Sequence, residues 1–497
     1  MPVQLKQLVD ELSPVKVEGP LEREIAGICY DSRRVTPGMV FVAIPGLKTD
    51  GHEYISTAID RGATAVICEK NGMAMPRVTK IKVADAREAL ARAAAAYYQH
   101  PSKRLKVIGV TGTNGKTTVA FIVKQILQEA GVNCGLIGTV RYEIGERVIP
   151  AQRTTPEALE IQQMMAQMLR ADCQACVMEV SSHALDQKRV SCVEFDAAVF
   201  TNLTQDHLDY HGTMENYFAA KKRLFAPPEH GTKKAGAIIN IDDPFGARLS
   251  KESQVEPVLT YGLAEAAKLR ATQIRLGKDG TQMVIETPQE KFPCRLPLIG
   301  RHNVYNALAA VGAGLLLKVG LPPIQAALNS VKTVPGRLEA ITLGQPFGVF
   351  VDYAHTDDAL RNVLTTLREI TSGRLLLAFG CGGSRDAGKR PKMGKVAATL
   401  ASFTIITSDN PRREPPEKIA AEVEAGFRAV RRDGFKVELD RRRAIDEILR
   451  SANPGDTVLI AGKGHETYQE FEDTVIPFDD RIYARETLET LGWRSDD

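Results

Sequence analysis

The chain has no long hydrophobic run, no excess of one charge and no cysteine pattern. Its longest uncharged apolar stretch, Ala307 to Leu317, is 11 residues, against the ~20 that a membrane-spanning helix needs. Membrane insertion is therefore not expected. Lys and Arg number 64 against 61 Asp and Glu, a net charge of +3. That balance argues against nucleic acid or an acidic membrane surface as partner. The 8 cysteines are scattered. Cys173 and Cys176 form one CxxC, but no second ligand pair stands near it, so buried reduced thiols in a cytoplasmic protein are the expectation. The opening residues carry Lys6, Asp10 and Glu11, unlike the apolar core of a secretory signal. Low-complexity segments and repeats with a period of about 20–50 residues are absent too. What is left is a soluble globular composition, 43% hydrophobic and 25% charged, and at ~150 residues per domain the length suggests about three domains.

The most informative stretch present is Thr111-Gly112-Thr113-Asn114-Gly115-Lys116-Thr117-Thr118. It follows an apolar run, Val107 to Val110, and precedes a helical pattern from Val119 to Ala130 with apolar residues at 119, 122, 123, 126 and 127. A glycine-rich turn between strand and helix points backbone N–H groups into one concavity that suits phosphate. Lys116 can reach terminal phosphates, and the Thr117 hydroxyl can join a Mg²⁺ shell. Val110 stands where the usual phosphate loop has its first glycine, so the loop is a shorter variant.

Residues 1–103 read as a small α/β domain, with a strand at Met39–Ile44, a helix at Ala86–Tyr98 and a linker at His100–Lys103. Residues 104–335 alternate strand and helix, with strands at Lys106–Val110, Ala175–Glu179, Ala197–Phe200 and Ala237–Asn240 and helices near Glu157–Leu169 and Asn303–Leu317. Positions 268–298 alternate like antiparallel strands. A central, mostly parallel mononucleotide-binding sheet follows from this pattern. A second joint falls at Val334–Arg337. Residues 336–497 form a new doubly wound, Rossmann-like series with strands at Phe347–Asp352, Leu375–Phe379, Phe403–Thr407 and Thr457–Ile460. Ligands of such sheets gather at strand C-terminal ends.

Those ends are polar. Glu179 leads into Val180-Ser181-Ser182-His183, and Phe200 into a run holding Asp206 and His207. In the third domain the ends hold Asp352 and His355, then Arg385, then Asp409-Asn410-Pro411-Arg412, then Gly462 and Glu466. Arginine forks among acids suit a zwitterion or polyanion, with Arg385 and Arg412 placed for carboxylate.

Together these motifs resemble the Mur ligases, ATP-dependent amide-forming enzymes of bacterial cell-wall precursor synthesis. The resemblance covers all three domains. It rests on TGTNGKTT at 111–118, EVSSHAL at 179–185, TNLTQDHLDYHG at 201–212, GRHNVYNALAA at 300–310, PGRLE at 335–339, VDYAHT at 351–356 and AGKGHE at 461–466. Within the family, Asp31-Ser32-Arg33, the 46–52 loop and Asp409-Asn410-Pro411-Arg412 look like the member that adds meso-diaminopimelate to UDP-N-acetylmuramoyl-L-Ala-D-Glu. Lysine-adding relatives lack the arginine of that last motif.

The resemblance implies ATP on Gly112, Thr113, Asn114, Gly115, Lys116, Thr117 and Thr118, with Asn303 on the adenine side and Arg337, Asp352 and His355 brought in from the third domain. It implies Mg²⁺ held by Thr117, Glu179, His207 and Lys221, the lysine being carbamylated, and catalytic roles for Lys116, Lys221, His207 and Glu179. Tyr30, Ser32, Thr154, Thr155, Ser181, Gln187 and Arg189 would hold the UDP-muramoyl-dipeptide. Arg385, Asp409, Asn410, Pro411, Arg412, Gly462 and Glu466 would hold diaminopimelate. The expected protein is a cytoplasmic monomer. Two positions depart from the family: Asp357 replaces a usual proline, and Arg153 replaces an asparagine before Thr154. Two other readings share parts of the pattern, a folylpolyglutamate synthetase-like ligase and a nucleotide-driven switch. The former lacks the Asp31-Ser32-Arg33 and Asp409–Arg412 motifs. The latter would hydrolyse ATP without an amine acceptor.

Overall fold

The structure is a computed structural model that describes residues 3–46, 49–70, 77–227, 231–277 and 280–494. Of the 46–52 loop, Leu47 and Lys48 lie outside the described residues.

Three large sheets dominate. The first runs Lys16–Glu18, Thr79–Lys82, Ala65–Cys68, Met39–Val42, Gly27–Cys29, parallel except for its first pair. The expected strand at 39–44 stops at Val42, after which the chain turns toward the Pro45–Asp50 bridge. The helix Ala86–Tyr97 covers the sheet with alanines and Leu90 and is capped by Asp85, which accepts from Arg87 N and Glu88 N. The stretch expected as a linker, 100–103, is a tight turn with Pro101 and Ser102 buried.

The second sheet has 11 strands. From Cys134–Ile137 through Ala175–Glu179, Lys106–Thr111, Ala197–Phe200, Gly236–Asn240 and Val258–Gly262 to Leu269–Gly277 it is parallel. Antiparallel strands extend both edges, and Leu269–Leu296 supplies one of them as expected. The phosphate-loop strand lies between Ala175–Glu179 and Ala197–Phe200, with Val110 level with Glu179 and Thr111 level with Phe200. Three loops therefore open side by side at one sheet edge. The apolar run at 307–317 makes up the C-terminal part of the helix Arg301–Leu316 and its cap Leu317, with Ala307–Val311 and Ala313 buried in the core that this sheet shares with the helix Lys116–Glu129.

The third sheet runs Glu339–Ala340, Gly348–Asp352, Thr457–Ala461, Leu375–Phe379, Phe403–Ile406, Phe435–Val437, parallel beyond its first pair. Asp352 and Phe379 are both level with Ala461, so the expected polar ends again share one edge. Thr356 caps the next helix, its hydroxyl accepting from Ala359 N. Asp357, in place of proline, is that helix's first residue. A carboxylate there is favoured by the helix dipole, as proline is by its fixed φ.

Candidate active site

The loop at 111–118 is held by backbone it cannot release cheaply. Gly112 has φ +145 and Gly115 φ +88. A Cβ on Gly112 would lie 1.9 Å from Thr201 Oγ1, and one on Gly115 2.4 Å from Asn306 Oδ1. Val110 is a fully buried strand residue, so the position of the missing glycine belongs to the sheet and the loop begins after it. The helix starts at Lys116, earlier than its apolar period at 119. Its first turn is Lys116-Thr117-Thr118, and Gly115 offers no side-chain cap. The N–H groups of that turn are left for an anion.

Lys116 Nζ donates to the carbonyls of Gly112 (3.0 Å) and Thr113 (2.8 Å). Burial holds its pKa below the ordinary value, opposed by Glu179 and Asp206. Thr117 Oγ1 donates to Glu179 Oε2 at 3.0 Å. Thr139, which sequence reasoning passed over, donates to Glu179 through N (2.8 Å) and Oγ1 (2.9 Å). Like the other polar ends, it sits just beyond a strand, Cys134–Ile137.

His207 is in the left-handed region at φ +55, beside Asp206 and packed on His183 with ring centroids 4.8 Å apart. Partial burial lowers the His207 pKa, opposed by the neighbouring Asp206 carboxylate. Lys221 is 1% exposed. Its Nζ donates to Gly112 O at 2.8 Å and lies 4.6 Å from the Tyr217 ring. Burial, then the nearby Lys116 charge, drive its pKa well down.

The hydroxyl of Thr117 and the carboxylate of Glu179, hydrogen-bonded at 3.0 Å, are oxygen donors of the kind Mg²⁺ takes, while no hydrogen bond among the described residues joins the expected third ligand, His207, to either. Among the described residues no group of three or more His, Cys, Asp or Glu converges as a metal cage. A hard cation that takes most of its ligands from phosphate and water does not require one.

Arg337, from the third sheet's side, donates through Nη2 to Thr117 Oγ1 at 3.2 Å and stacks on Tyr353 at 4.6 Å. Asp358, also unforeseen, accepts from Asn114 Nδ2 (2.9 Å) and Thr204 Oγ1 (3.3 Å). His355 donates through Nδ1 to Tyr353 O at 2.9 Å and is pushed by burial to about 4. Asp352 does not face the cleft freely. It accepts from Leu338 N and Ala354 N, both at 2.7 Å, and so holds the turn that carries Arg337. Asn303 is likewise engaged, donating to Ile299 O (2.9 Å) and accepting from Asn306 Nδ2 (2.9 Å).

The central-sheet residues expected on the muramoyl-dipeptide form one network. Thr155 Oγ1 donates to Glu179 O at 2.8 Å and accepts from Ser181 N at 3.0 Å. Arg189 donates to Thr155 O (2.9 Å) and Gln187 Oε1 (2.7 Å), and Thr154 Oγ1 meets Thr139 Oγ1 at 3.1 Å. Tyr30 reaches across from the first sheet to Glu160 Oε1 at 2.9 Å, while Ser32 is buried in a short turn behind Asp31. Tyr30 and Ser32 thus lie on a different sheet from the threonines.

At the third sheet's edge, Asn410 Nδ2 donates to Glu466 Oε2 (2.8 Å), and Lys463 Nζ donates to Asn410 Oδ1 and Glu466 Oε2 (both 3.0 Å). A Cβ on Gly462 would meet Asp409 Oδ2 at 2.6 Å. Pro411 packs its carbonyl on Gly383. Arg412 Nε donates to Glu470 Oε2 at 2.9 Å. Arg385 is exposed and has no hydrogen-bond or ion-pair partner among the described residues. Behind them the fully buried Arg441 forks onto Asp480 (2.7 Å twice) and donates to Ser408 O and Ala461 O. It ties together the strand ends that precede Asp409 and Gly462.

Family models match along the chain: "Mur ligase family, catalytic domain" at 24–98, "Mur ligase middle domain" at 110–314 and "Mur ligase, glutamate ligase domain" at 336–464. The chain belongs to the Mur ligase family. It is 46% identical to the UDP-N-acetylmuramoyl-L-alanyl-D-glutamate–2,6-diaminopimelate ligase of Syntrophomonas wolfei subsp. wolfei, covering 98% of this chain and 99% of that one. It is 46% identical to the protein of the same name from Solibacter usitatus, over 97% and 98%. A solved structure of a ligase of that name aligns with TM-score 0.70 at 33% identity over 99% and 100% of the chains. A Mycobacterium tuberculosis folylpolyglutamate synthase aligns at TM-score 0.62 and 17% identity over 76% and 92%, a likeness of fold.

Proposed function

We propose that the protein is an ATP-dependent amide ligase that joins meso-2,6-diaminopimelate to the γ-carboxylate of the D-Glu unit in UDP-N-acetylmuramoyl-L-Ala-D-Glu, a step of peptidoglycan precursor synthesis. One observation carries the reading: Arg337 donates to Thr117 of the phosphate loop from a turn whose Gly336 packs on the Gly464–His465 backbone, beside Glu466. The names of the relatives at 46% identity support the same substrates.

A carboxylate is a poor electrophile until it carries a leaving group. Its oxygen attacks the γ-phosphorus of ATP, ADP departs, and an acyl phosphate results. The diaminopimelate amine then attacks the acyl carbon, the C–O bond breaks, phosphate leaves and the amine's proton passes to solvent. Lys116 offsets the charge where substrate carboxylate and triphosphate meet. Thr117, Glu179 and His207 would hold Mg²⁺, which when bound neutralises phosphate charge. Lys221, whose pKa burial and the nearby Lys116 charge lower, is suited to react as the free amine with CO₂ to give a carbamate and a proton. Thr154, Thr155, Ser181, Gln187 and Arg189 orient the muramoyl-dipeptide. Arg385 is the free fork for one diaminopimelate carboxylate, while Asp409 and Glu466 take ammonium. Arg412 pairs with the distal carboxylate that lysine lacks.

The test is ADP release with UDP-muramoyl-dipeptide and meso-diaminopimelate, L-lysine or L-glutamate as acceptor. Diaminopimelate should support turnover and the others little. Arg412→Ala should cut kcat/KM for diaminopimelate by roughly 30-fold or more, since an unpaired buried charge costs about 2–5 kcal/mol. Equal turnover without any acceptor would instead identify a nucleotide-driven switch, and turnover on glutamate a folylpolyglutamate-type ligase.

A further inference from the structure

Tyr468–Phe471 and Thr474–Pro477 form a hairpin of their own, outside the main sheets. It grips the Asp409–Arg412 segment. Gln469 Nε2 donates to Asp409 O at 2.9 Å, and Glu470 N to Asn410 Oδ1 at 3.1 Å. Arg412 N donates to Glu470 O at 2.9 Å, and Glu472 N to Arg412 O at 2.6 Å. These bonds fix Arg412 at φ +54, a left-handed conformation that a non-glycine residue adopts only when its surroundings hold it there.

The side chain is then fixed from a second direction. Glu470 Oε2 accepts from Arg412 Nε at 2.9 Å, and Gly383 O accepts from Nη1 at 3.0 Å. Nη2 has no hydrogen-bond partner among the described residues. An arginine fork is rotamer-rich, and ordering it costs up to ~2 kcal/mol. A partner that orders it before substrate arrives moves that cost from binding to folding.

We infer that Glu470 is a positioning residue for amino-acid selection: it sets the Arg412 guanidinium so that its open Nη2 edge meets the distal carboxylate of diaminopimelate. This rests on the site reading above. Because Glu470 acts through Arg412, its effect belongs in the KM for diaminopimelate, not in kcat or in the KM for ATP.

The experiment is steady-state kinetics on the full-length enzyme with Glu470→Ala, Glu470→Gln, Arg412→Ala and the double variant Arg412→Ala/Glu470→Ala. Glu470→Ala should raise the diaminopimelate KM roughly three- to tenfold, the range of a partly exposed ion pair plus side-chain ordering, with kcat and the ATP KM unmoved. Glu470→Gln, which keeps an acceptor, should fall between. The double variant should be no worse than Arg412→Ala alone. A diaminopimelate KM that is unchanged or lowered in Glu470→Ala overturns the inference, and so do losses that multiply in the double variant. If Arg412→Ala itself leaves that KM unmoved, the diaminopimelate site is misplaced and the role of Glu470 falls with it.

Discussion

Lys221 is where chemistry and burial oppose each other most directly. The carbonyl of Gly112 and the ring of Tyr217 favour its ammonium, but burial and the Lys116 charge outweigh them. In the unfolded chain the same lysine stays protonated to about pH 10.4. Between the lowered folded pKa and that value, the unfolded chain holds the extra proton, so stability rises with pH. At neutral pH this buried lysine is therefore a net cost to folding. In CO₂-free buffer, Lys221→Met should melt above the parent near pH 7, and the gap should close as pH approaches 10. The same variant should have lost activity. A Met variant that melts no higher at pH 7 would mean the site holds the ammonium comfortably and is poorly suited to carbamate formation.

At the scale of elements, the phosphate loop shows what sequence conveys and what it hides. Ala175–Glu179, Ala197–Phe200 and Leu375–Phe379 were legible to the residue, because fully buried parallel strands are continuous apolar runs ending in polar loops. The helix start at Lys116 was not, since its first turn is polar and breaks the apolar period. The two- and three-residue strands near the N-terminus were too short to show a period. The hairpin at 468–477 mixes charge and apolar residues, with Val475 62% exposed, and so carries no core signal. The motifs located Gly112 and Gly115 but not the neighbours that require glycine there. Those neighbours make a test. Gly115→Ala must adopt φ +88 and displace Asn306. It should raise the ATP KM about tenfold or more, at a cost of ~1–2 kcal/mol for the left-handed backbone alone. Adding Asn306→Ala should recover part of the loss by opening space. If the double variant is no better than Gly115→Ala, the backbone conformation rather than the contact is what excludes a side chain.

Across the whole molecule, the two flanking sheets meet the central one by different means. On the N-terminal side the contacts are away from the phosphate loop: Tyr30 with Glu160, and Lys188 with Asp85 (3.0 Å) and Glu88 (3.5 Å). On the C-terminal side they fall on the loop and its neighbours: Arg337 on Thr117, Asp358 on Asn114 and Thr204, and Lys392 on Gln205 at 2.7 Å. Strand periodicity carries no record of such pairs, because each partner is a polar residue in a loop or the first turn of a helix, and the mate is more than 180 positions away for Arg337, Lys392 and the Asn114 contact. Asp358 is the one acid in this set, and it touches the segment proposed to receive an anionic triphosphate. Closure of the cleft without nucleotide is thus supported by hydrogen bonds to a carboxylate, worth about 1.5–3 kcal/mol each. Losing them should shift the open–closed balance at least tenfold. Asp358→Ala should therefore enlarge the radius of gyration of the nucleotide-free protein in small-angle X-ray scattering. Asp358→Asn, which keeps an oxygen acceptor, should enlarge it less. Addition of ATP with the muramoyl-dipeptide should draw all three proteins to the same compact size, because Arg337 then has phosphate as well as Thr117 to hold. Scattering curves that coincide for parent and Asp358→Ala without nucleotide would show that closure rests on Arg337 and Lys392 instead.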